Sequence, residues 1–284
     1  MDFSLSANTS TAIASTQLPP GAIALWWLGQ ASFVLRGQTS TFFIDPFLST
    51  RSDRLVLPPF TAEESPPVDY VLCTHEHGDH LDLPTLIIIA QRSPEARFVV
   101  PRPIVEQLIT RGIAAERVLG VQPDEQLTAG EAQLFPMPAV HGLSCPPAIY
   151  DFGFEKSGGL YRYLGYVIDL QGVRIYHPGD TLIFDGLVER LRPFHIDIAL
   201  LPINGRSYFR EQKGLVGNID EREAADLAAA AGIKLLIPTH YEMFAANQGQ
   251  PGALVDYVRS THPSLSCYLP SHGRRFTFLQ GDAE

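Results

Sequence analysis

The sequence predicts an α/β protein in which two β-sheets pack face to face with helices on the outside. Short apolar stretches rich in β-branched and aromatic residues recur in both halves of the chain, and many of them end at Gly or Pro. Helical patterns are interspersed between these stretches, as expected for sheets that are covered by helices. The 284 residues suffice for one large domain with a full core.

The first half of the chain contains strand patterns separated by two helical patterns. The strands are predicted at 24–29, 32–36, 41–45 and 97–100, and a strand meander is predicted over 118–137. The helices are predicted at 84–92, with Pro84 in the first turn, and at 104–111, where Gly112 ends the helix.

The second half contains a hairpin, two buried strands and one well-marked helix. The hairpin pairs 164–169 with 173–176, and the buried strands are 196–201 and 234–237. The helix covers 221–231, because Asp220 and Glu223 form a capping-box pattern before it and Gly232 follows it. Short strands are predicted over 257–278.

The N-terminal segment is rich in Ser, Thr and Ala, and it lacks the basic and apolar regions of a signal peptide. We therefore expect a flexible tail over residues 1–20 and a single domain over 21–284. Three cysteines without a Cys-x-x-Cys pair do not form a disulfide framework, and free thiols fit a reducing compartment. No apolar stretch approaches the length that spans a bilayer. These features predict a cytoplasmic protein without a membrane partner.

The net charge of the chain bears on which classes of partner it can bind. Asp and Glu outnumber Lys and Arg by 31 to 21, which gives a formal charge of −10. Phosphate backbones are bound by clustered Lys and Arg, so this balance argues against a nucleic-acid partner.

The most informative segment is the run Thr74-His75-Glu76-His77-Gly78-Asp79-His80, which directly follows an apolar strand pattern. Neutral imidazole nitrogens and carboxylate oxygens suit zinc and its first-row neighbours. Three further candidates, His141, Asp180 and His240, also follow strand ends beside Pro or Gly. Loops at one edge of a sheet are where active sites concentrate. Seven such ligands are enough for two divalent ions, Zn²⁺ or Mn²⁺, with Asp180 between them.

The His75-x-His77-x-Asp79-His80 signature with the later His141, Asp180 and His240 resembles the metallo-β-lactamase superfamily, over most of the chain from Trp26 to about Gly273. The resemblance implies an αββα sandwich with two metal ions. It implies that His75, His77 and His141 hold the first ion, that Asp79, His80 and His240 hold the second, and that Asp180 bridges them. Asp79 and Asp180 are the expected catalytic carboxylates.

Other segments narrow the resemblance to one branch. The segment from Trp27 to Phe33 and the run Asp79-His80-Leu81-Asp82 are similar to the branch that contains L-ascorbate-6-phosphate lactonases and phospholipase-D-like N-acylethanolamine enzymes. The segments around 202–206 and 217–224 look most like the lactonase side. The lactonase relatives assemble, which implies a homo-oligomer.

The loop after the strand at 196–201 carries the expected substrate contacts Asn204, Arg206, Tyr208 and Arg210. A guanidinium group suits a phosphate or carboxylate, and an Asn amide can polarise a carbonyl or phosphoryl oxygen. His177, three residues before Asp180, is expected to support the ligands from behind.

Two divalent ions lower the pKa of a shared water and so generate hydroxide near neutral pH. We therefore expect a lactonase-like hydrolase in which a metal-bridging hydroxide opens a lactone or ester of a small anionic substrate, possibly a phosphorylated sugar acid. The same ligands would permit a phosphodiesterase that acts on a nucleotide or a phospholipid head group. A scaffold that binds metal without catalysis is the third alternative.

Overall fold

The computed structural model describes residues 4–141, 154 and 156–280. It contains two seven-stranded mixed sheets and a separate two-stranded hairpin, β9 (Lys156–Ser157) with β10 (Leu160–Tyr161). Helices cover the outer faces of both large sheets, so the predicted αββα sandwich is confirmed.

The first sheet is antiparallel at one side and parallel at the other. Its strands are β1 (Ala22–Gly29), β2 (Ser32–Arg36), β3 (Thr41–Ile44), β4 (Tyr70–Leu72), β5 (Arg97–Pro101), β6 (Val118–Val121) and β16 (Arg275–Leu279). Their spatial order is β16-β1-β2-β3-β4-β5-β6, and the pairs from β3 to β6 are parallel.

The second sheet repeats this plan. Its strands are β7 (Leu127–Ala129), β8 (Ala132–Pro138), β11 (Leu164–Leu170), β12 (Val173–His177), β13 (Ile198–Pro202), β14 (Leu235–Thr239) and β15 (Ser266–Cys267). Their order is β15-β14-β13-β12-β11-β8-β7, and the pairs from β12 to β15 are parallel. The predicted hairpin is β11–β12, which turns through Gln171 and Gly172, both with positive φ.

The helices lie in two outer layers. The α-helices are α1 (Ser4–Ser15), α2 (Leu83–Arg92), α3 (Val105–Thr110), α4 (Leu187–Leu191), α5 (Tyr208–Glu211), α6 (Glu221–Ala231) and α7 (Pro251–Thr261). Short 3-10 turns occur at Ala62–Glu64, Arg102–Ile104, Ala115–Arg117 and Arg192–Phe194. The predicted capping box at Asp220 and the left-handed Gly232 at the other end of α6 are both present.

Alternation along the strands divides the core into three apolar layers. Trp26 points to the outer layer beneath α2, whereas its neighbour Trp27 points to the layer between the sheets. The third layer packs α4, α6 and α7 against the outer face of the second sheet. Both sheets are therefore buried on both faces over most of their width, and their strand ends are held rigidly.

Three sequence-based expectations differ from the structure. Residues 1–20 were expected to form a flexible tail, but α1 occupies much of this segment and buries Ile13 in the core. The segment 118–137 was expected to form one meander, but β6 joins the first sheet whereas β7 and β8 form a hairpin in the second. Residues 257–261 were expected to be strand, but they end α7, whose apolar residues Leu254 and Val258 recur at helical spacing.

No helix within the described residues is long and apolar enough to cross a membrane. Cys73 is buried and Cys267 is half-buried, and both are free thiols. Cys145 lies outside the described residues.

Candidate metal centre

The candidate ligands meet at one edge of the sandwich because their strands run in the same sense. The pairs β12–β13 and β13–β14 are parallel, so the segments that follow β12 and β14 come to the same edge of the second sheet. Asp180 follows β12, His240 follows β14, and His141 follows β8. The run 75–80 follows β4 and reaches this edge from the first sheet. All seven sequence-predicted ligands are therefore brought together.

The run 75–80 is held by backbone hydrogen bonds to both sheets. The Cys73 amide donates to the carbonyl of Val99 in the first sheet, at 2.9 Å, and the Leu164 amide of the second sheet donates to the carbonyl of Thr74, at 3.0 Å. The chain then turns tightly, because the amides of His80 and Leu81 both donate to the carbonyl of His77. This turn directs His77, Asp79 and His80 into the same space.

The turn that carries Asp180 packs closely on this run. Gly179 has a φ of +64°, and a Cβ at this position would lie 2.6 Å from the Cβ of Thr74. Only glycine combines that φ with so close an approach. Residue 179 therefore sets the distance between Asp180 and the His-rich run.

The side chains form three overlapping groups of possible ligands. These groups are His75 with His77 and His141, then His75 with His80 and Asp180, and finally Asp79 with His80 and His240. In the first group, Nδ1 of His77 lies 3.0 Å from Nε2 of His75 and 3.1 Å from Nε2 of His141. In the last group, Nε2 of His240 lies 3.5 Å from Oδ2 of Asp79.

Asp180 lies between the first and last groups. Its Oδ1 is 3.2 Å from Nε2 of His80 and 3.3 Å from Nε2 of His240, whereas its Oδ2 is 3.6 Å from Nε2 of His141. Its two oxygens therefore face opposite groups.

Burial and unpaired polar atoms favour cations at this place. Nε2 of His80 and Oδ1 of Asp180 are buried and have no hydrogen-bond partner among the described residues. Buried polar groups are normally satisfied, and a cation between an imidazole nitrogen and a carboxylate oxygen would satisfy both. The donor set therefore fits divalent metal ions.

The pKa values of the histidines differ between the two sides of Asp180. Burial lowers the pKa of His141 to about 3 and that of His75 well below its ordinary value, so both imidazoles are neutral, as metal ligation requires. Burial would also lower the pKa of His240, but Asp180 and Asp79 outweigh it and raise this pKa to about 10. The pKa of His80 is raised well above its ordinary value by the same balance between burial and carboxylates.

The structure adds three residues that sequence reasoning did not assign to the site. Asp45 accepts hydrogen bonds from His80 Nδ1 at 2.7 Å and from the Thr74 hydroxyl at 2.7 Å. The side-chain Nε2 of Gln30 donates to Oδ2 of Asp79. The ring of Tyr163 packs 5.2–6.0 Å from the rings of His75, His77 and His141. Only Asp45 carried a usable signal, since it too follows a strand and precedes a proline.

His177 lies behind Asp180, where its bonds go to backbone. Its Nε2 lies 2.8 Å from the Ala31 carbonyl, and its Nδ1 accepts from the Gly179 amide at 3.1 Å. It thus ties the turn of Asp180 to the β1–β2 turn.

The expected substrate residues are divided between the interior and the surface. Asn204 is buried and hydrogen-bonded to Asn247 and Asn218, and Arg210 donates to Oδ1 of Asn247 and to the carbonyl of Asn204. Arg206 is exposed and so is Tyr208. Arg210 thus secures this loop through two of its three guanidinium nitrogens.

Comparison with known proteins gives the family of this chain. A family model described as "Beta-lactamase superfamily domain" matches residues 40–241. A protein of Escherichia fergusonii named "Probable L-ascorbate-6-phosphate lactonase UlaG" is 23% identical over 273 residues, which cover 84% of this chain and 75% of that protein.

Two solved structures have a similar fold. A metallo hydrolase from the archaeon Ignicoccus hospitalis has a TM-score of 0.69 at 22% identity, over 92% of this chain and 100% of that one. An isothiocyanate hydrolase from Delia radicum gut bacteria has a TM-score of 0.72 at 16% identity, over 90% of this chain and 100% of that one. At these identities the two structures show the fold alone. From the family match, the fold and the ligand geometry together, the chain belongs to the metallo-β-lactamase superfamily, as a metallo-hydrolase near the branch of its Escherichia fergusonii relative.

Proposed function

We propose that this chain is a dinuclear metal-dependent hydrolase that opens a lactone or ester of a small anionic substrate. The observation that carries the proposal is the placement of Asp180, whose two carboxylate oxygens face the two ligand groups on either side. A site for one ion would use the ligands on one side of Asp180 and leave the histidines on the other side without a function.

His75, His77 and His141 would hold one ion, and Asp79, His80 and His240 the other, with Asp180 shared. Bound divalent ions would supply Lewis acidity, which lowers the pKa of water and polarises the attacked oxygen of the substrate. Asp79, whose side chain is 20% exposed, would take the proton that the nucleophile loses. The buried ring of Tyr163 packs against His75, His77 and His141 and would exclude water from that side of the first ion.

The substrate class rests on the surroundings of the metal centre and on the named relative. Arg51 and Arg162 flank the His-rich run. Nη1 of Arg51 lies 4.0 Å from the Cβ position of residue 78, while its Nε and Nη2 pair with Asp53. Arg162 pairs with Glu76. Guanidinium groups beside the centre favour a substrate that carries phosphate or carboxylate. The charge of −10 on the whole chain argues against a nucleic acid, whose phosphate backbone is bound by clustered Lys and Arg.

The contacts of Arg206 and Tyr208 with substrate stay predictions, as do those of Asn204 and Arg210. The choice of zinc or manganese, the homo-oligomeric state and the cytoplasmic location also stay predictions.

The test compares two substrates on protein loaded with Zn²⁺ or Mn²⁺: a sugar-acid 6-phosphate lactone and bis(p-nitrophenyl) phosphate. We expect turnover of the lactone to exceed that of the phosphodiester. His77→Ala should lower kcat/KM by at least ~100-fold, because the first ion loses a ligand. His262→Ala is the matched control, since His262 lies at the surface and pairs with Asp226. Faster phosphodiester turnover would replace the lactonase assignment by the phosphodiesterase alternative, and full activity of His77→Ala would refute the dinuclear mechanism.

A further inference from the structure

Gln30 is a buried polar residue in the turn between β1 and β2, and its exposure is 1%. The turn comes from the first sheet but lies against the segment that follows β14 in the second. The side chain of Gln30 reaches the metal centre between Asp79 and His240. None of the roles described above uses it.

The side-chain amide of Gln30 contacts Asp79 and His240, two of the expected ligands of the second ion. Its Nε2 lies 2.7 Å from Oδ2 of Asp79 and 2.9 Å from Nε2 of His240. An ionised carboxylate can only accept hydrogen bonds, so the amide nitrogen faces Asp79 and donates to it.

The backbone of Gln30 is fixed by its own hydrogen bonds. Its carbonyl accepts from the His240 amide at 3.1 Å and from the Trp27 indole at 3.0 Å, and its amide donates to Glu242 at 2.8 Å. Gln30 and His240 both have positive φ, at 52° and 59°. Such a conformation is costly for residues other than glycine and persists where the surroundings enforce it, typically at functional sites.

Two of the other buried ligands, His75 and His80, already have partners behind them. The Thr74 hydroxyl lies 3.0 Å from Nδ1 of His75, and Asp45 lies 2.7 Å from Nδ1 of His80. Asp79 is the most exposed carboxylate of the centre. Its orientation must be ordered before an ion can bind, and groups that orient a ligand in advance commonly contribute 10–100-fold to metal affinity.

We propose that Gln30 is a positioning residue whose side-chain amide orients Asp79, while its backbone carbonyl holds the segment of His240, in the arrangement that binds the second metal ion. The proposal rests on the two-ion centre of the proposed function. It assigns no contact between Gln30 and substrate.

The test measures Zn²⁺ affinity by competition with a chelator in Gln30→Met, which keeps the length of the side chain and removes its donor. His77→Ala and His240→Ala identify which ion belongs to which group. Gln122→Met is the matched control, because Gln122 is also a buried glutamine, but its amide bonds to the carbonyls of Val121 and Tyr161. The melting temperature of the metal-free protein reports on folding. If Gln30→Met does not fold, Gln30→Asn retains an amide that is too short to reach Asp79.

We expect the Kd of the ion that His240→Ala removes to rise about 10–100-fold. The ion that His77→Ala removes should bind unchanged, and Gln122→Met should bind both ions like the parent. Unchanged affinity for both ions in Gln30→Met, or the same loss in Gln122→Met, would overturn the role of Gln30. A parent protein that binds one ion would refute the dinuclear centre. Gln30 would then keep its role only if that ion depends on His240 and is weakened in Gln30→Met.

Discussion

Asp45 shows how a single buried carboxylate organises the metal centre. It has no exposed surface and accepts hydrogen bonds from the Thr74 amide, the Thr74 hydroxyl and His80 Nδ1, at 2.7–2.8 Å. The bond to Nδ1 leaves Nε2 of His80 to face Asp180 and the expected ion. A carboxylate behind a ligating imidazole sets its tautomer and raises its basicity.

We predict that Asp45→Asn lowers the affinity of the centre for Zn²⁺ by about 10–100-fold, because an amide cannot act as the anionic acceptor for His80. The measurement is a chelator competition at fixed pH. Asp197→Asn is the matched control, since Asp197 is 2% exposed and accepts bonds from Arg174 and Lys234 instead. Equal metal affinity in both variants would show that Asp45 serves the backbone of Thr74 only.

Among the helices and strands, α1 differs most clearly from what the sequence predicted. Nine of its twelve residues are Ser, Thr or Ala, and neither end turn carries a charge, so nothing in the local pattern marks a stable helix. The helix persists because Ile13 is fully buried among residues of the first sheet and α2, and because the hydroxyls of Thr9 and Ser10 bond to Gly273 and Glu64. Its stability is therefore tertiary in origin.

We predict that Ile13→Ala lowers the free energy of unfolding by about 2–5 kcal/mol, as for other large-to-small changes in a core. Thr11→Ala, on the exposed side of the same helix, should change it by less than about 0.5 kcal/mol. Denaturant titration of both variants gives the comparison. Equal effects would mean that α1 does not contribute to the core as a docked helix.

For the whole molecule, the metal centre exists only where the two sheets meet. The first sheet supplies Asp45 and the run 75–80, and the second sheet supplies His141, Asp180 and His240. Gln30 and His177 bond across the junction. Ion binding is therefore linked to folding of the entire sandwich, and it should stabilise the whole domain.

The raised pKa of His240 makes the stability of the metal-free protein fall as the pH rises. The pKa of His240 in the folded, metal-free protein is raised to about 10, whereas an unfolded histidine titrates near 6.5. The folded state therefore retains a proton that the unfolded state loses. This contribution to stability is fully present below about pH 6.5 and disappears as the pH rises toward 10.

We predict that the melting temperature of the metal-free protein falls between about pH 6.5 and 9, more steeply than that of the Zn²⁺-loaded protein, in which metal replaces the proton on His240. Comparison at equal pH cancels the ionisation of groups outside the centre. His240→Gln should reduce the slope of the metal-free protein, and His80, whose pKa is also raised, should account for the remainder. Parallel slopes for the two forms would contradict the raised pKa.

Local patterns in the sequence were sufficient to predict much of this protein. Strand alternation, the capping box at Asp220 and the hairpin across Gln171 and Gly172 depend on neighbours within a few residues, and the structure contains all of them. The His-rich run after a strand is local as well. The later His141, Asp180 and His240 could be predicted because each follows a strand in the same way.

The tertiary structure decided the features that depend on residues distant in the chain. Whether β6 joins the first or the second sheet is a question of pairing, which the pattern of one strand does not contain. The same holds for Ile13, whose helix needs the core, and for Arg210, whose guanidinium bonds to Asn247 across 37 positions. By sequence Gln30 is an ordinary turn residue, and Asp45 is marked only by its position between a strand and a proline. They support the metal centre only because packing of the two sheets brings their side chains within hydrogen-bond distance of His80 and Asp79.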